Sequence, residues 1–254
     1  MVANDVARTV RAQLGLGRVL PLGGPADGAW ISERAARTAL LRSPGIPPGI
    51  RLSALRLALD APADAPAPTV PPPPSALPPG PLRLTADVTA PPDCPLPPLA
   101  ARLRTALLTA AERDLGLRLT AVDLRITGLL DEPAADAPRG EASPGAAEAE
   151  VPRTGAETGA PDRGTSPGPQ APAAPDDLAA RILAVPGVAR LAPALAGRSR
   201  PVARTDDGTH ILIQLATAAG HRPLDVARAV GRAVTGPPPA PETAAVLITA
   251  VQYR

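Results

Sequence analysis

One structural pattern occurs twice along this chain, and the repetition restricts the folds that are available to it. In the first copy Gly28 to Glu33 opens an alanine-rich helical segment, which ends at a Pro-Gly-aliphatic turn beginning at Pro44. In the second copy a similar helix contains Ala179-Ala180-Arg181 and ends at the matching turn at Pro186. Each copy continues with two apolar strand-like segments, a helix that begins beside a proline, and a last strand. A unit of this length indicates a domain duplication, because solenoid repeats have shorter periods.

The pattern predicts an α+β protein of two small duplicated domains. Each domain has the element order helix, strand, strand, helix, strand, with its helices packed on a small sheet. The first domain covers residues 28–130, and the second, more divergent one covers residues 176–254. Residues 1–27 are predicted to form an N-terminal helix and a connecting segment, and they are compatible with a partial third copy of the repeat.

Capping and periodicity predict the local structure of the first domain. Ser32 is a suitable N-cap, and residues 82–89 alternate apolar and polar side chains as a strand with one buried face does. Leucines recur at helical spacing from Leu96 onward, and Gly116 follows as the expected C′ residue. The apolar register of the final strand then switches, which predicts a bulge near Ala121.

Two segments are predicted to lie outside any packed core. Residues 61–80 contain nine prolines and are interpreted as an extended, polyproline-like insertion within the first domain. Residues 131–175 hold eight acidic residues and three arginines, a net charge of −5, with a single larger aliphatic side chain. Such a segment cannot offset the entropy of ordering, so it is predicted to be a disordered Pro/Ala-rich linker that lets the two domains move independently.

Composition favours a protein that is made and kept inside the cell. The chain has no Phe, one Trp (Trp30) and one Tyr (Tyr253), so its core must consist of Leu, Val, Ile and Ala. The single cysteine, Cys94, excludes an intrachain disulfide and fits a reducing cytoplasm, where it is interpreted as a neutral loop residue. The sequence contains no long apolar segment and no signal-peptide pattern, so a cytoplasmic location is expected.

Catalytic chemistry finds little support in the sequence. His210 lies at the start of a predicted strand and His221 in a turn, and no third metal ligand has a recognisable spacing, so both are interpreted as solvated loop histidines. Gly23-Gly24 lacks the Lys and Ser/Thr of a phosphate-binding loop. Asp206-Asp207-Gly208 is interpreted as a hairpin turn. We therefore expect a protein that is not an enzyme and that needs no cofactor or metal.

The element order also resembles a known family. With Gly28-x-x-Ile31-Ser32 at its start and Gly116-Leu117-x4-Val122-x-Leu124-x-Ile126-x-Gly128 at its end, the chain looks like the alkaline shock protein family of Gram-positive bacteria, which is linked to cell-envelope stress. The resemblance covers residues 28–130 and, more loosely, residues 176–254. It departs from the family in the insertion at 61–80 and in lacking a glycine–aromatic pair before the long helix. The chain has arginine but no lysine and is rich in Ala and Pro, a composition that is typical of an actinobacterial member.

The resemblance implies a non-enzymatic cytoplasmic scaffold or adaptor that acts through protein–protein contacts near the membrane. Its expected partners are a membrane-anchored protein, further copies of itself, or both, without a small-molecule substrate and without direct membrane insertion. The family carries no established active site, so no catalytic residue transfers to this chain. We expect partner contacts at the free sheet edges and at the arginines of the two covering helices, namely Arg102, Arg104, Arg228 and Arg232.

Nucleic-acid binding through the same arginine-bearing helices is the alternative. RNA recognition generally adds aromatic side chains on which bases stack, and Trp30 and Tyr253 are the only Trp, Tyr or Phe residues in the chain. Binding that weakens steeply with salt would favour this alternative over the scaffold.

Overall fold

The computed structural model describes residues 17–130, 175–193, 200–205, 207–236 and 240–253. The predicted N-terminal helix and almost all of the predicted linker lie outside these residues. In chain order the described elements are β1 (Val19–Leu22), β2 (Ala29–Ser32), α1 (Glu33–Leu41), β3 (Arg51–Leu59), a 3-10 turn (Pro62–Asp64), β4 (Leu82–Ala90), α2 (Leu96–Thr109), a π-helical turn (Ala110–Leu115), β5 (Leu119–Leu129), α3 (Pro175–Leu183), β6 (Val188–Leu191), β7 (Val202–Arg204), β8 (His210–Thr217), α4 (Pro223–Val234) and β9 (Thr243–Val251). The expected mixed α+β class is confirmed.

The smaller sheet has three strands in the order β3-β4-β5. β3 and β4 form an antiparallel pair, whereas β4 and β5 are parallel and are connected by α2. Helix α2 buries Leu99, Leu103 and Leu107, the apolar positions that recur at helical spacing. The predicted bulge is confirmed, since Leu82 pairs with Leu119 and the next residue of β4 pairs with Ala121.

The larger sheet has the order β1-β2-β9-β8-β6, and β7 also pairs with β8. β8 and β9 are parallel and connected by α4, which repeats the arrangement of β4, α2 and β5. Strand β2 pairs in parallel with β9, so that Ala29 lies opposite Val246 and Ile31 opposite Ile248. A strand from the first half of the chain thus completes the sheet of the second half.

Helix α1 follows β2 directly and packs against both β9 of the larger sheet and β3 of the smaller one. Its N-cap is Ser32, whose Oγ accepts a hydrogen bond of 3.2 Å from the backbone N–H of Ala35, as predicted. Ser32 also donates from Oγ to the carbonyl of Thr249 at 3.3 Å. One side chain therefore caps the helix and ties it to the last strand.

The two halves also meet at Leu224, which begins the first turn of α4 and is 3% exposed. Gly116 has a φ of +90°, and a Cβ at this position would lie 2.4 Å from the Leu224 Cβ, so only glycine fits. Nearby, the Arg222 guanidinium donates two hydrogen bonds, of 2.7 and 3.1 Å, to the carbonyl of Glu112. The expectation of two independently moving domains is wrong, because backbone pairing and a continuous apolar core join them.

The proline-rich insertion covers the outer face of the larger sheet. Trp30 lies on this face and is 1% exposed, and Val70 and Ala76 of the insertion pack in the same cluster. The Trp30 indole N–H donates to the carbonyl of Leu77 at 3.4 Å. The Leu77 N–H in turn donates to the carbonyl of Val19 at 2.9 Å. The prediction that this segment lies outside any core is wrong. Proline loses little entropy on ordering, and the Trp30 ring offers it a large apolar surface.

Candidate interaction sites

Helix α2 carries the first two arginines expected to contact a partner. The Arg104 Nε donates to the carbonyl of Val122 at 3.2 Å, so this side chain occupies a backbone acceptor of β5. Arg102 is exposed, with Nη2 4.0 Å from the Sγ of Cys94. It lines an open groove of about 730 Å³ between α2 and the loop around Pro44. Arg102 is therefore accessible from solvent, while Arg104 has an internal partner.

Helix α4 carries the other two arginines. Arg228 forms a bidentate ion pair with Asp27, in which Nε and Nη2 lie 2.8 and 3.0 Å from the two carboxylate oxygens. The hydrogen bond from Arg228 holds the pKa of Asp27 below its ordinary value. Arg232 is exposed. Arg228 thus connects α4 to the β1–β2 loop, a role that the sequence-based interpretation as a partner contact did not include.

The two outer strands of the smaller sheet differ in how their edges are protected. On β3 the backbone N–H of Leu57 donates to the Glu33 carboxylate at 3.3 Å, and its carbonyl accepts from Arg18 at 3.4 Å. Side chains thus satisfy the outward backbone groups of β3 at this residue. β5 has only β4 as a strand partner within the described part of the chain. Arg104 already occupies the carbonyl of Val122, so the part of the β5 edge beyond Val122 is the part that is free to accept another strand.

Two large apolar side chains lie near the end of this free edge. Ile126 is 39% exposed and Leu129 is 54% exposed. They pair with Val88 and Ala90 of β4, both buried, so they continue the apolar face of the sheet to its border. The smaller sheet therefore offers unpaired backbone groups beside exposed hydrophobic side chains.

The opposite face of the smaller sheet is polar and largely self-neutralised. Arg83, the second residue of β4, forms ion pairs of 2.8 Å with both Asp60 and Asp123. The Thr120 hydroxyl donates to the Asp60 carboxylate at 2.8 Å, and this bond together with Arg83 lowers the pKa of Asp60. Arg83 therefore has acidic partners on this face.

A cleft of about 490 Å³ lies where four separate parts of the chain meet. They are the end of α1, the π-helical turn, the turn before α4 and the end of β9. The Arg42 guanidinium lies 4.9 Å from the centroid of the Tyr253 ring, a cation–π contact. Burial raises the pKa of Tyr253 to about 12. The charged side chains that line the cleft are Arg42, Arg113, Asp114 and Arg222.

Sequence reasoning missed this cleft. Its residues come from parts of the chain that are far apart and carry no common spacing, so no motif identifies them. One signal was available in composition, since Tyr253 is the only tyrosine and lies two residues beyond the last strand. A single polar aromatic residue in a chain almost without aromatic residues indicates a position with a specific structural or binding role.

The two histidines have different environments. His210 is buried, and its Nδ1 lies 2.8 Å from the Thr243 Oγ1, so its interpretation as a solvated histidine is wrong. Desolvation by burial lowers its pKa. It is buried because it begins β8, whose side chains are covered on both sides. His221 is exposed in the turn before α4, in agreement with the prediction.

The hairpin predicted around Asp207 and Gly208 is confirmed. Arg204 of β7 pairs with Ile211 of β8, and the Gly208 N–H donates to the Thr205 carbonyl at 2.9 Å. Hydrogen bonds from Thr205 and Thr209 lower the pKa of Asp207 to about 2. Among the described residues no group of three or more His, Cys, Asp or Glu side chains could hold a metal ion.

None of the helices in the described ranges has the length and apolar character needed to cross a membrane. Comparisons with protein-family models, with curated proteins and with solved structures found no match to this chain. The resemblance to the alkaline shock protein family therefore stays a prediction, and the geometry of the surfaces described above carries the functional argument.

Proposed function

We propose that this protein is a non-enzymatic scaffold or adaptor in the cytoplasm, associated with cell-envelope stress or homeostasis. It acts through protein contacts close to the membrane, either with a membrane-anchored partner or with further copies of itself. The resemblance to the alkaline shock protein family suggests the setting. The free edge of β5 is the observation that carries the proposal.

Strand addition is the mode of binding that this edge supports. An extended segment of a partner pairs with the outward N–H and C=O groups of β5, and its side chains contact Ile126 and Leu129. Backbone hydrogen bonds supply affinity, and the apolar contacts supply the preference for one partner. β3 is a poorer acceptor, since Glu33 and Arg18 already occupy the backbone groups of Leu57.

Domain duplication is part of the proposal. The elements α1-β3-β4-α2-β5 and α3-β6-β8-α4-β9 follow the same order, except that the second series has the additional short strand β7 between β6 and β8. In both, the first two strands are antiparallel, and the last two are parallel and connected by a helix. The duplication joins a unit with a free edge to a second unit whose sheet is extended by β2 and β1.

Fractionation of native cells tests the proposal. We expect the protein partly in the membrane fraction, although the purified protein does not bind liposomes appreciably. The double variant Ile126→Lys/Leu129→Lys places charges on the β5 edge and should move the membrane-associated pool to the soluble fraction. The matched control is Leu41→Lys/Leu108→Lys, because these leucines are 41% and 36% exposed and lie on helices.

Two results would overturn the proposal. One is strong liposome binding by the purified protein, which would make the contact a direct lipid contact. The other is an entirely soluble pool in cells under envelope stress. If the edge variant and the control lose the membrane pool equally, the protein would still have a partner, but the contact would not lie at the β5 edge.

The nucleic-acid alternative receives no support from the aromatic residues. Trp30 is 1% exposed beneath the proline-rich insertion, and Tyr253 lies half-buried beneath Arg42. No other Trp, Tyr or Phe exists in the chain, so bases would have no exposed ring of these types on which to stack.

A further inference from the structure

We propose that the cleft between Arg42, Arg113, His221, Arg222 and Tyr253 is a binding site for a small oxyanion, a phosphate or carboxylate group of a small molecule. Such a ligand goes beyond the scaffold function and departs from the expectation of no small-molecule substrate. It rests on three features of the cleft: its charge, the buried hydroxyl group of Tyr253 and its shape.

Positive charge is in excess in the cleft. Three arginines and one aspartate line it. Arg222 has an acidic partner in Asp225, at 3.4 Å. Arg42 contacts the Tyr253 ring, and neither it nor Arg113 forms an ion pair with another described residue. Guanidinium groups that are not neutralised by carboxylates bind the oxygens of phosphate and carboxylate groups well.

Buried hydroxyl groups without a hydrogen-bond partner lie at the same end of the larger sheet. Among the described residues, only Thr217 and Tyr253 have such a buried side-chain atom. They are close together, because the N–H of Gln252 donates to the carbonyl of Thr217 at 2.9 Å. A tyrosine hydroxyl keeps its proton at neutral pH and can donate a hydrogen bond, and burial raises the pKa of Tyr253 further, to about 12. An anion oxygen in the cleft would give this donor its acceptor.

The shape of the cleft suits a small ligand. Its volume of about 490 Å³ falls within the usual range of small-molecule sites, roughly 300 to 1,000 Å³. One wall is the π-helical turn Ala110–Leu115, a local irregularity that is frequent at functional sites. The opposite wall holds His221 against Gly187, where an added Cβ would lie 2.8 Å from the imidazole Cγ. A side chain at position 187 would therefore collide with the imidazole, so glycine is required beside it.

The aromatic NMR spectrum offers a direct test, because the chain has one Tyr, one Trp, two His and no Phe. Tyr253 and His221 report on the cleft, whereas Trp30 and His210 are buried elsewhere and serve as internal controls. We expect inorganic phosphate, added at constant pH and constant ionic strength, to shift the Tyr253 and His221 signals saturably. Half-saturation should fall on the order of 1 mM, the affinity of a weak ligand with a few contacts. Sodium acetate, as a separate titrant, distinguishes a carboxylate from a phosphate preference.

Variants locate the site. Arg113→Gln should raise the dissociation constant of inorganic phosphate roughly tenfold, the usual effect of losing a charge-assisted hydrogen bond. Arg204→Gln is the matched control, because it makes the same charge change at an exposed residue on β7 and should leave the dissociation constant unchanged. Tyr253→Phe should weaken binding about fivefold, followed on His221, without lowering the urea midpoint, since the removed hydroxyl has no partner among the described residues.

Three outcomes would overturn the proposal. The first is that all four rings stay unshifted with both phosphate and acetate. The second is that the shifts are linear in anion concentration and equally large for the control rings. The third is that Arg113→Gln and Arg204→Gln change the dissociation constant of phosphate equally, which would mean that the anion responds only to the overall charge of the protein. The readouts are independent of β5 and of the membrane fraction, so failure here is distinguishable from failure of the scaffold function.

Discussion

At the level of single residues, the Asp27–Arg228 ion pair connects the two halves of the chain. Asp27→Asn should lower the free energy of unfolding at pH 7 by about 0.5 to 1 kcal/mol, since the pair is partly exposed and therefore screened. The comparison is Asp225→Asn, which removes a more exposed carboxylate that lies 3.8 Å from the same arginine and 3.4 Å from Arg222, and it should cost less because both contacts are more exposed to solvent. Urea denaturation measures both, and an Asp27→Asn variant as stable as the wild type would contradict the prediction.

The same pair predicts a pH dependence. Because Arg228 lowers the pKa of Asp27 in the folded state, the stabilisation is complete above the ordinary carboxyl value of 3.8. It is lost as the pH falls through the lowered folded-state value. The stability difference between wild type and Asp27→Asn should therefore shrink below pH 3.8 and stay constant above it.

His210 predicts a second pH dependence, in a higher window. Burial lowers its pKa below 6.5, so the unfolded chain takes up a proton at a pH where the folded protein does not. The stability that comes from neutral His210 is complete above pH 6.5 and declines as the pH falls towards the folded-state value. His210→Gln keeps a polar group beside Thr243 and should remove this slope. Urea denaturation at several pH values measures it, and identical slopes in the two proteins would count against the prediction.

Residue-level features that depend on near neighbours could be predicted from the sequence. Ser32 as an N-cap and the bulge near Ala121 follow from a few adjacent side chains, and both are found. The burial of His210 could not be predicted, because its Thr243 partner lies on a different strand. The environment of Tyr253 depends on Arg42, which is even farther away along the chain.

At the level of elements, the proline-rich insertion can be deleted without separating the strands that flank it. Its ends meet, since Leu59 pairs with Leu82 and the Asp60 N–H donates to the Pro81 carbonyl at 3.0 Å. Replacing residues 62–79 with a short Asn-Gly turn should preserve the β3–β4 hairpin and expose Trp30. We expect a red shift of the Trp30 fluorescence, and a loss of about 2 to 3 kcal/mol, the value of burying one large aromatic side chain.

The variant Leu108→Ala is a suitable control, because it trims an apolar side chain that is already 36% exposed and lies far from Trp30 in sequence. Its fluorescence should match the wild type. Unchanged Trp30 emission in the deletion variant would mean that the insertion does not cover the ring.

Elements with a clear period were predictable, and elements defined by distant pairing were not. The alternation at residues 82–89 and the leucine spacing from Leu96 correspond to β4 and α2. Gly28 to Ser32 was interpreted only as the start of a helical stretch, whereas its last four residues form β2. Four residues are too few to establish a period of two, and the strand is stabilised by β1 and β9 rather than by its own sequence.

At the level of the whole molecule, the two copies of the pattern are interlocked. β2 precedes α1 of the first unit yet pairs with β9 of the second, and α1 packs between the sheets. Repetition in a sequence indicates the number of units but carries no information about strand exchange between them. The error in predicting independent domains therefore came from treating each copy as a complete sheet.

Interlocking predicts that the halves stay together after the chain is cut. A specific protease site inserted between Gly145 and Ala146, outside the described residues, would separate the chain into fragments 1–145 and 146–254. We expect the fragments to co-elute in gel filtration under native conditions and to separate only in urea. The β2–β9 pairing, the Arg222–Glu112 hydrogen bonds and the shared apolar core all persist across the cut.

A substitution at Leu224 tests whether the association of the two fragments depends on packing where the two halves meet. Leu224→Asp buries a carboxylate beside Gly116 and Gly23 and close to the carboxylate of Asp27, which already pairs with Arg228, so the cleaved fragments should dissociate. Leu183→Asp introduces the same charge into the same fragment at a leucine that is 48% exposed, and its fragments should still co-elute. Separation of the cleaved wild-type fragments at micromolar concentration would mean that the junction contributes little free energy. In that case the two units would be held together mainly by the covalent connection, as the sequence pattern alone had suggested.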